Sequence, residues 1–398
     1  MKLPELPAVA PISGKRIFLR VDWNVPLSGA FASEDSLKVS RTINTIRSLS
    51  ERGAIVLVAT HLGRPKGRDA SLSTRKLLRP IADQYTLKME FLGDAIDTAT
   101  GLKAVKSKSE QAKPGTVFLL ENVRFYKGEE TNAPALAKAY ASLADVFVND
   151  AFASCHRMHA SVVGVAKLLP RYAGPTLVRE VGALEQLIGK PKRPYVAIIG
   201  GAKLSTKFPV LSALVQTADR VMVGGAMANV FLKAQGREIG KSFVEKEGMP
   251  FAKKLLKNKK ILLPVDAVVA SSLKNGVKVR VSDVRSIKKT EMIGDIGPTT
   301  MRQWAMEIKM AKTIVWNGPM GVTEIPSFSH GSLTIARAVA LVSKGPTFGV
   351  AGGGDTLPVV MRTGMEEWID HLSTGGGAML EYLALKGKLP GLLALQKA

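Results

Sequence analysis

The stretch from Thr347 to Leu357, Thr-Phe-Gly-Val-Ala-Gly-Gly-Gly-Asp-Thr-Leu, has the residue types that hold a phosphate. Phe348 to Ala351 reads as a short buried parallel strand and Gly352 to Gly354 as a sharp turn. Asp355-Thr356 then opens a helix, with Leu357, Val360 and Met361 at helical spacing. Such a turn presents bare backbone N–H groups and the positive end of a helix dipole to an anion. Asp355 offers a carboxylate to magnesium, a hard cation that takes oxygen ligands. A strand-to-helix turn with no ligand could use the same residues, so the stretch gains meaning only from others like it.

The second half of the chain repeats the pattern. Ile199 runs into Gly200-Gly201-Ala202-Lys203-Leu204-Ser205-Thr206-Lys207, which lacks the spacing of a Walker A loop but places two lysines four residues apart, expected on one helix face. Val223 runs into Gly224-Gly225-Ala226, Trp316 into Asn317-Gly318-Pro319-Met320-Gly321 with Glu324 following, and Leu372 into Ser373-Thr374-Gly375-Gly376-Gly377. Glycine at these strand ends leaves room for a flat ring and lets backbone amides reach phosphates, so together they predict a nucleotide.

The first half delivers cations instead. Its strand ends carry Asp22-Trp23-Asn24, His61-Leu62-Gly63-Arg64-Pro65, Glu121-Asn122-Val123-Arg124, and Asp150 followed by a loop with His156, Arg157 and His159. Arginine forks pair bidentately with phosphate or carboxylate, and their arrival at one sheet edge predicts an anion site. His156 and His159 lack the companions of a metal set and read as hydrogen-bond donors. Cys155 has no partner arrangement that would make it a nucleophile.

The elements that must position these residues alternate strand and helix. Strands are expected at Arg16–Val21, Ala54–Thr60, Thr116–Leu120 and Asp145–Asn149, with helices at Leu37–Arg52, Ser73–Tyr85 and Ala135–Leu143. After a linker near Arg171–Pro175 and a helix through Glu180–Ile188, strands recur at Tyr195–Ile199, Arg220–Val223, Ile261–Val265, Thr313–Trp316 and Phe348–Ala351. The fold class is therefore α/β, with two doubly wound parallel-sheet (Rossmann-like) lobes joined by a helix hinge, residues 1–173 and 174–380. A length of 398 residues suits two lobes, and no apolar run is long enough to span a bilayer. The single cysteine excludes an internal disulfide, and the N-terminus lacks the apolar core of a secretory signal, so a cytoplasmic location is expected. A formal charge of +23 suggests anionic partners, but the lysine runs carry no interleaved aromatics for base stacking, so nucleic acid is not the expected partner.

In their order and separations, Asp22 to Pro26, His61 to Pro65, Leu119 to Phe125, Gly200 to Lys207, Trp316 to Val322, Gly352 to Thr356 and Ser373 to Gly377 resemble the motif set of phosphoglycerate kinases. The resemblance spans essentially the whole chain. It implies an N-terminal lobe for 3-phosphoglycerate or 1,3-bisphosphoglycerate, a C-terminal lobe for Mg-ATP or Mg-ADP, and hinge closure. It implies phosphoglycerate contacts at Asp22, Asn24, His61, Arg64, Arg124 and Arg157, and nucleotide contacts at Gly201, Ala202, Lys203, Lys207, Gly225, Asn317, Pro319, Gly321, Val322 and Glu324, the last on the ribose. Gly353, Gly354, Asp355 and Thr356 match the phosphate and magnesium site. Lys38, Lys203, Lys207, Gly353 and Gly376 are the implied catalytic positions, and a final segment, about 381–398, is implied to pack back on the first lobe. A monomer is the family's usual state.

The implied chemistry needs no general base, since the nucleophile is a carboxylate already ionised at neutral pH. In-line positioning and stabilisation of charge on the moving group remain. One departure bears on that: alignment through Thr45-Ile46 puts Lys38 where the family has an arginine reaching the transferred group, with Arg41 nearly a turn later as a possible substitute. Smaller departures are Ala226, Thr323 and Lys386. The competing readings are a catalytically impaired relative that binds anions or nucleic acid, and another acyl-phosphate-forming kinase. The arginine cluster argues against the latter, since a simple carboxylate substrate would not need it.

Overall fold

The computed structural model describes residues 1–26, 31 and 33–396, which form two compact units: residues 1–182 with 388–398, and residues 183–387. The first contains β1 (Arg16–Arg20), α1 (Ser33–Glu51), β2 (Ile55–Ala59), α2 (Leu78–Tyr85), β3 (Glu90–Leu92), α3 (Ala99–Glu110), β4 (Val117–Leu120), α4 (Pro134–Ser142), β5 (Val146–Asn149), β6 (Arg171–Ala173) and the start of α5 (Pro175–Ile188). Its strands form one parallel sheet in the order β3-β4-β2-β1-β5-β6.

Both faces of this sheet are covered, which is why its strands read as apolar runs rather than alternating ones. On one face Ile17 and Leu19 of β1 join Val56, Val58 and Leu119 in a core with Val39, Ile43 and Ile46 of α1. Those helix residues recur at the spacing of a single buried stripe. On the other face Phe18 packs against Tyr140 of α4, with ring centroids 5.1 Å apart.

The second unit contains β7 (Tyr195–Ile199), α6 (Leu204–Thr217), β8 (Arg220–Val223), α7 (Gly225–Ala234), α8 (Met249–Leu255), β9 (Ile261–Leu262), β10 (Asp266–Ala270), β11 (Arg280–Asp283), β12 (Met292–Ile296), α9 (Pro298–Met310), β13 (Thr313–Asn317), α10 (His330–Ser343), β14 (Phe348–Gly352), α11 (Leu357–Met361), β15 (His371–Ser373) and α12 (Gly376–Ala384). A parallel sheet in the order β15-β14-β13-β7-β8-β9 forms its centre. Because every strand runs the same way, all five glycine-rich loops emerge at one sheet edge, where open α/β folds bind ligands.

Several expectations change. The segment expected as a linker, 171–175, is mostly strand: β6 pairs with β5 through Phe147↔Arg171, and the compact unit continues to Gly182 within α5. Ile261–Val265 shortens to two strand residues because Pro264 cannot donate to a ladder. Ser73–Tyr85 splits into a tight turn over 74–77 and α2. A three-stranded antiparallel sheet, β11-β10-β12, is an addition to the second unit that the alternation of strand and helix did not announce. The returning C-terminal segment begins at Lys388 rather than 381. Its helix α13 (Pro390–Leu395) seats Gly391 N–H on the Cys155 carbonyl at 2.8 Å, and residues 397 and 398 lie outside the described residues. No described helix is long and apolar enough to cross a membrane.

Candidate functional site

In the first unit the loop after β1 is fixed from within. Trp23 is fully buried, its backbone N–H donates to Thr60 Oγ1 at 2.9 Å, and its indole donates to Thr42 Oγ1 at 2.8 Å. That holds half-buried Asp22 on one side and exposed Asn24 on the other. Asn24 Oδ1 accepts the Gly63 N–H at 2.8 Å, which leaves its NH2 for a ligand. Asn122, at the end of β4, ties the 62–72 loop through the Leu62 and Leu72 carbonyls, both at 2.9 Å, while its Oδ1 accepts Arg124 N–H at 3.1 Å.

The charges set on this frame do not balance locally. Burial lowers the Arg124 guanidinium. Glu130 opposes that, but Arg20, Arg64 and Arg157 push further in the same direction. Four guanidiniums that repel one another leave positive charge uncompensated here. Burial lifts the Asp22 carboxyl above its usual value, and Lys38, Arg20 and Arg124 hold it down. Lys38 Nζ lies 2.9 Å from Asp35 and is the foremost charge acting on Asp22. Arg41, considered as its substitute, is not among the charges that act on Asp22; its guanidinium lies 3.5 Å from buried Glu180.

The three histidines of this cluster are held toward the neutral form. His61 is held well below its ordinary value by burial, then by Arg20, Arg124 and His159; burial likewise brings His156 to about 4 and His159 to about 3. Arg20 donates to His61 Nδ1 at 3.2 Å, and a guanidinium has no acceptor, so the His61 proton sits on Nε2 as a donor. A histidine neutral in the fold but titrating near ~6.5 when unfolded makes the unfolded chain bind more protons below that pH, so stability falls as pH drops. The melting temperature should decline from about pH 7 to about pH 5, and a phosphate-bearing acid seated among these groups should flatten the decline by favouring their protonated forms. A melting profile unmoved by such a ligand would contradict the cluster's assignment.

In the second unit Lys207 sits in the first turn of α6 and donates to the Gly200 carbonyl and to Asn317 Oδ1, both at 2.8 Å. Burial brings its ammonium down to about 8, with Asp355 opposing. Asn317 donates in turn to the Gly352 carbonyl at 2.7 Å, and Gly318 N–H donates to Thr356 Oγ1 at 2.7 Å. One network therefore sets the loops after β7, β13 and β14 against each other. Glycine is required where they touch: Gly225, at φ +63°, would place a Cβ 2.7 Å from the Gly201 nitrogen, and one on Gly376 would lie 2.4 Å from the Gly353 Cα. Lys203 precedes α6 in extended backbone, so it does not share the helix face expected for the pair, and it is exposed.

These loops rim a cleft of about 340 Å³ lined by Gly201, Ala202, Gly225, Pro319, Gly321, Val322, Glu324 and Asp355 among the expected residues, and by apolar Leu232, Phe243, Leu273 and Ile293. Lys203, Lys207, Asn317, Gly353, Gly354, Thr356 and Gly376 are not in its lining. A flat ring suits the apolar part and a polyanion the glycine rim. Among the described residues no cluster of three or more acidic, histidine or cysteine side chains could cage a metal, so a cation here would depend on Asp355 and on ligand oxygens.

Sequence reasoning passed over Arg20 and Glu129. Arg20 ends a strand buried on both faces, and such a charge demands partners; that was the available signal. Those partners include Ser161 at 3.0 Å, with Glu129 nearby. Glu129 sits in Lys127-Gly128-Glu129-Glu130, which reads as a solvated loop yet is tied to Ser161 and Tyr140. Asp295 was passed over too. It lines the cleft, is raised by burial to about 7, and accepts the Ile296 and Gly331 N–H groups.

Comparison with known proteins gives one consistent answer. The family model for phosphoglycerate kinase matches residues 8–388. A phosphoglycerate kinase of Thermus thermophilus is 44% identical over 388 residues, covering 96% of this chain and 97% of its own, and one of Moorella thermoacetica is 43% identical over 389 residues, covering 96% and 97%. The solved phosphoglycerate kinase of Coxiella burnetii superposes with TM-score 0.82 at 38% identity, covering 98% of this chain and 97% of that one. That of Pyrococcus horikoshii superposes with TM-score 0.84 at 32% identity, covering 97% of each.

Proposed function

The chain belongs to the phosphoglycerate kinase family, and from that premise we propose how its residues divide the work. The reaction moves a phosphoryl group reversibly between ATP and 3-phosphoglycerate, giving ADP and 1,3-bisphosphoglycerate, a step of glycolysis. The unbalanced guanidinium cluster is the observation that supports placing the phosphorylated acid on the first unit and the nucleotide in the glycine-rimmed cleft of the second.

In the first unit Arg64, Arg124 and Arg157 take the substrate phosphate, and the His61 Nε2 proton adds a directed donor. Asp22 supplies an acceptor for the substrate hydroxyl among groups that mostly donate, and Asn24 contributes its amide NH2. In the second unit Gly201, Ala202, Gly225, Pro319, Gly321 and Val322 shape the slot for the purine, and Glu324 accepts from the ribose hydroxyls. Lys203, Lys207, Asn317, Gly353, Gly354, Thr356 and Gly376 surround the phosphates. Asp355 would hold magnesium together with phosphate oxygens, and that ion would neutralise charge on the transferring group. Lys207 and the backbone amides of the glycine turns add fixed positive ends, each worth about 3–4 kcal/mol where well aimed. Titration calorimetry of each substrate and steady-state turnover with Mg-ATP and 3-phosphoglycerate test the assignment. Heat from neither ligand would overturn it.

We infer that Lys38, on α1 with its Nζ 2.9 Å from Asp35, stands in for the family's arginine at the transferred group. Because an ammonium has one point of charge where a guanidinium has a fork, Lys38→Arg should raise kcat several-fold, about 0.7 to 1 kcal/mol of better stabilisation being enough. An unchanged or lower kcat would show that the lysine is already matched to this site. We place the enzyme in the cytoplasm as a monomer, in keeping with its lone buried Cys155. No finding favours the impaired, nucleic-acid-binding reading.

A further inference from the structure

Resting on the assignment of the phosphorylated acid to the first unit, we propose that Glu129 is a positioning residue for its binding. Working through Ser161 and Arg20, it keeps the His61 ring turned so that Nδ1 is bare and the Nε2 proton is free for the substrate phosphate.

Glu129 and Arg20 are each 1% exposed, and a charge so buried demands compensation. The link between them runs through a hydroxyl. Arg20 Nε donates to Ser161 Oγ at 3.0 Å, and Ser161 Oγ donates in turn to Glu129 Oε1 at 2.6 Å. Chemistry fixes the direction of this chain: a guanidinium only donates, an ionised carboxylate only accepts, and the hydroxyl between them has one proton to pass on. The other carboxylate oxygen is held by the Ser161 N–H at 3.1 Å and the Tyr140 hydroxyl at 3.2 Å, so Glu129 is fixed in its turn.

The far end of Arg20 reaches His61. One of its NH2 groups donates to His61 Nδ1 at 3.2 Å, which leaves the ring proton on Nε2. His61 retains 8% exposure, and its Nε2, unbonded within the protein among the described residues, is not shut off from solvent. With the tautomer reversed, the ring would set a lone pair against an anion instead of a proton. Two carboxylates act on Arg20, Glu129 the more strongly and Asp22 the less. With the Glu129 charge removed, Asp22 exerts the stronger pull, and the guanidinium is drawn off Ser161 and His61 together. A carboxylate that touches no substrate thereby decides which atom of His61 carries the proton.

Nitrogen-15 NMR tells a protonated ring nitrogen from a bare one, and with five histidines in the chain a comparison with His61→Gln assigns the signals. The unaltered protein should show His61 with Nδ1 bare and Nε2 protonated. Glu129→Gln, which keeps the shape and removes the charge, should lose that single tautomer. Its affinity for 3-phosphoglycerate by titration calorimetry should drop about tenfold to a hundredfold, the worth of one hydrogen bond to a charged group. Saturated kcat and KM for Mg-ATP should stay within about threefold, as for a loss of uniform binding. In a His61→Gln background, Glu129→Gln should change the affinity by less than about threefold, whereas a residue that only holds the fold would cost as much as before. Ser161→Ala cuts the link but leaves the carboxylate; it should give the same His61 signature and serves if Glu129→Gln folds poorly. An unmoved tautomer, an unmoved affinity, or a loss undiminished in the His61→Gln background would each overturn the proposal. The ring signals are read without substrate, so a protein that shows them as expected yet gives no heat with 3-phosphoglycerate removes the premise instead.

Discussion

Lys207→Met should lower kcat by about a hundred- to a thousandfold while the protein still folds and binds 3-phosphoglycerate. The expectation comes from the preparation of this ammonium. It is buried enough to be brought down to about 8, it is held by the Gly200 carbonyl and Asn317 Oδ1, and Asp355 is the charge that opposes its neutralisation. A cation confined in that way loses little in reorganisation when negative charge gathers nearby, which is where electrostatic catalysis gains most. Lys203, exposed and outside α6, should matter far less: Lys203→Met is expected to cost about tenfold. The pH dependence follows with its sign. Above about pH 8 the free enzyme loses the Lys207 proton, so kcat/KM for the nucleotide should fall there. Bound polyphosphate favours the charged form, so kcat should hold to higher pH. If Lys207→Met keeps kcat within tenfold of the unaltered enzyme, or if kcat and kcat/KM turn down at the same pH, the role assigned to Lys207 is wrong.

The contrast between these lysines shows how far the sequence could be read. Strand positions were legible because both sheet faces are covered, so Tyr195–Ile199 and Arg220–Val223 stand out as apolar runs with the observed bounds. The glycine loops were legible because an all-parallel sheet must send them to one edge. What was not legible depended on side-chain geometry across long sequence separations. Lys203 and Lys207 share a spacing that implies a common helix face, yet the helix begins between them, as Glu245 takes the Ser205 N–H at 2.8 Å and caps its first turn. Arg20 and Glu129 lie 109 positions apart and approach one another only in the fold. The antiparallel β11-β10-β12 sheet escaped because half-exposed β11, Arg280–Asp283, has no apolar run to announce it, and because the buried run of β10, Asp266–Ala270, was passed over beside the strand expected at Ile261–Val265.

Gly376→Ala should cost about a hundredfold or more in kcat, by a different physical route. The added Cβ would stand 2.4 Å from the Gly353 Cα and 3.0 Å from the Gly353 nitrogen. Backbone cannot swing aside as a flexible side chain can, so one of the two turns must move. Gly353 has little freedom to yield: at φ +113° it sits in a conformation that other residues rarely adopt, and a Cβ of its own would meet Asn317 Nδ2 at 2.7 Å. Movement there reaches Asn317, whose Oδ1 holds Lys207 and whose NH2 holds the Gly352 carbonyl. A single methyl group thus disturbs the donors aimed at the phosphates together, and a displacement of about 1 Å is enough for a loss of this size. Gly377 is the control, since a Cβ there meets nothing within 4 Å and needs no special backbone angle. Gly377→Ala should keep the melting temperature of the unaltered protein, whereas Gly376→Ala should lower it along with kcat. Were Gly376→Ala to retain full turnover, the two turns would not be in the mutual contact on which the phosphate site depends.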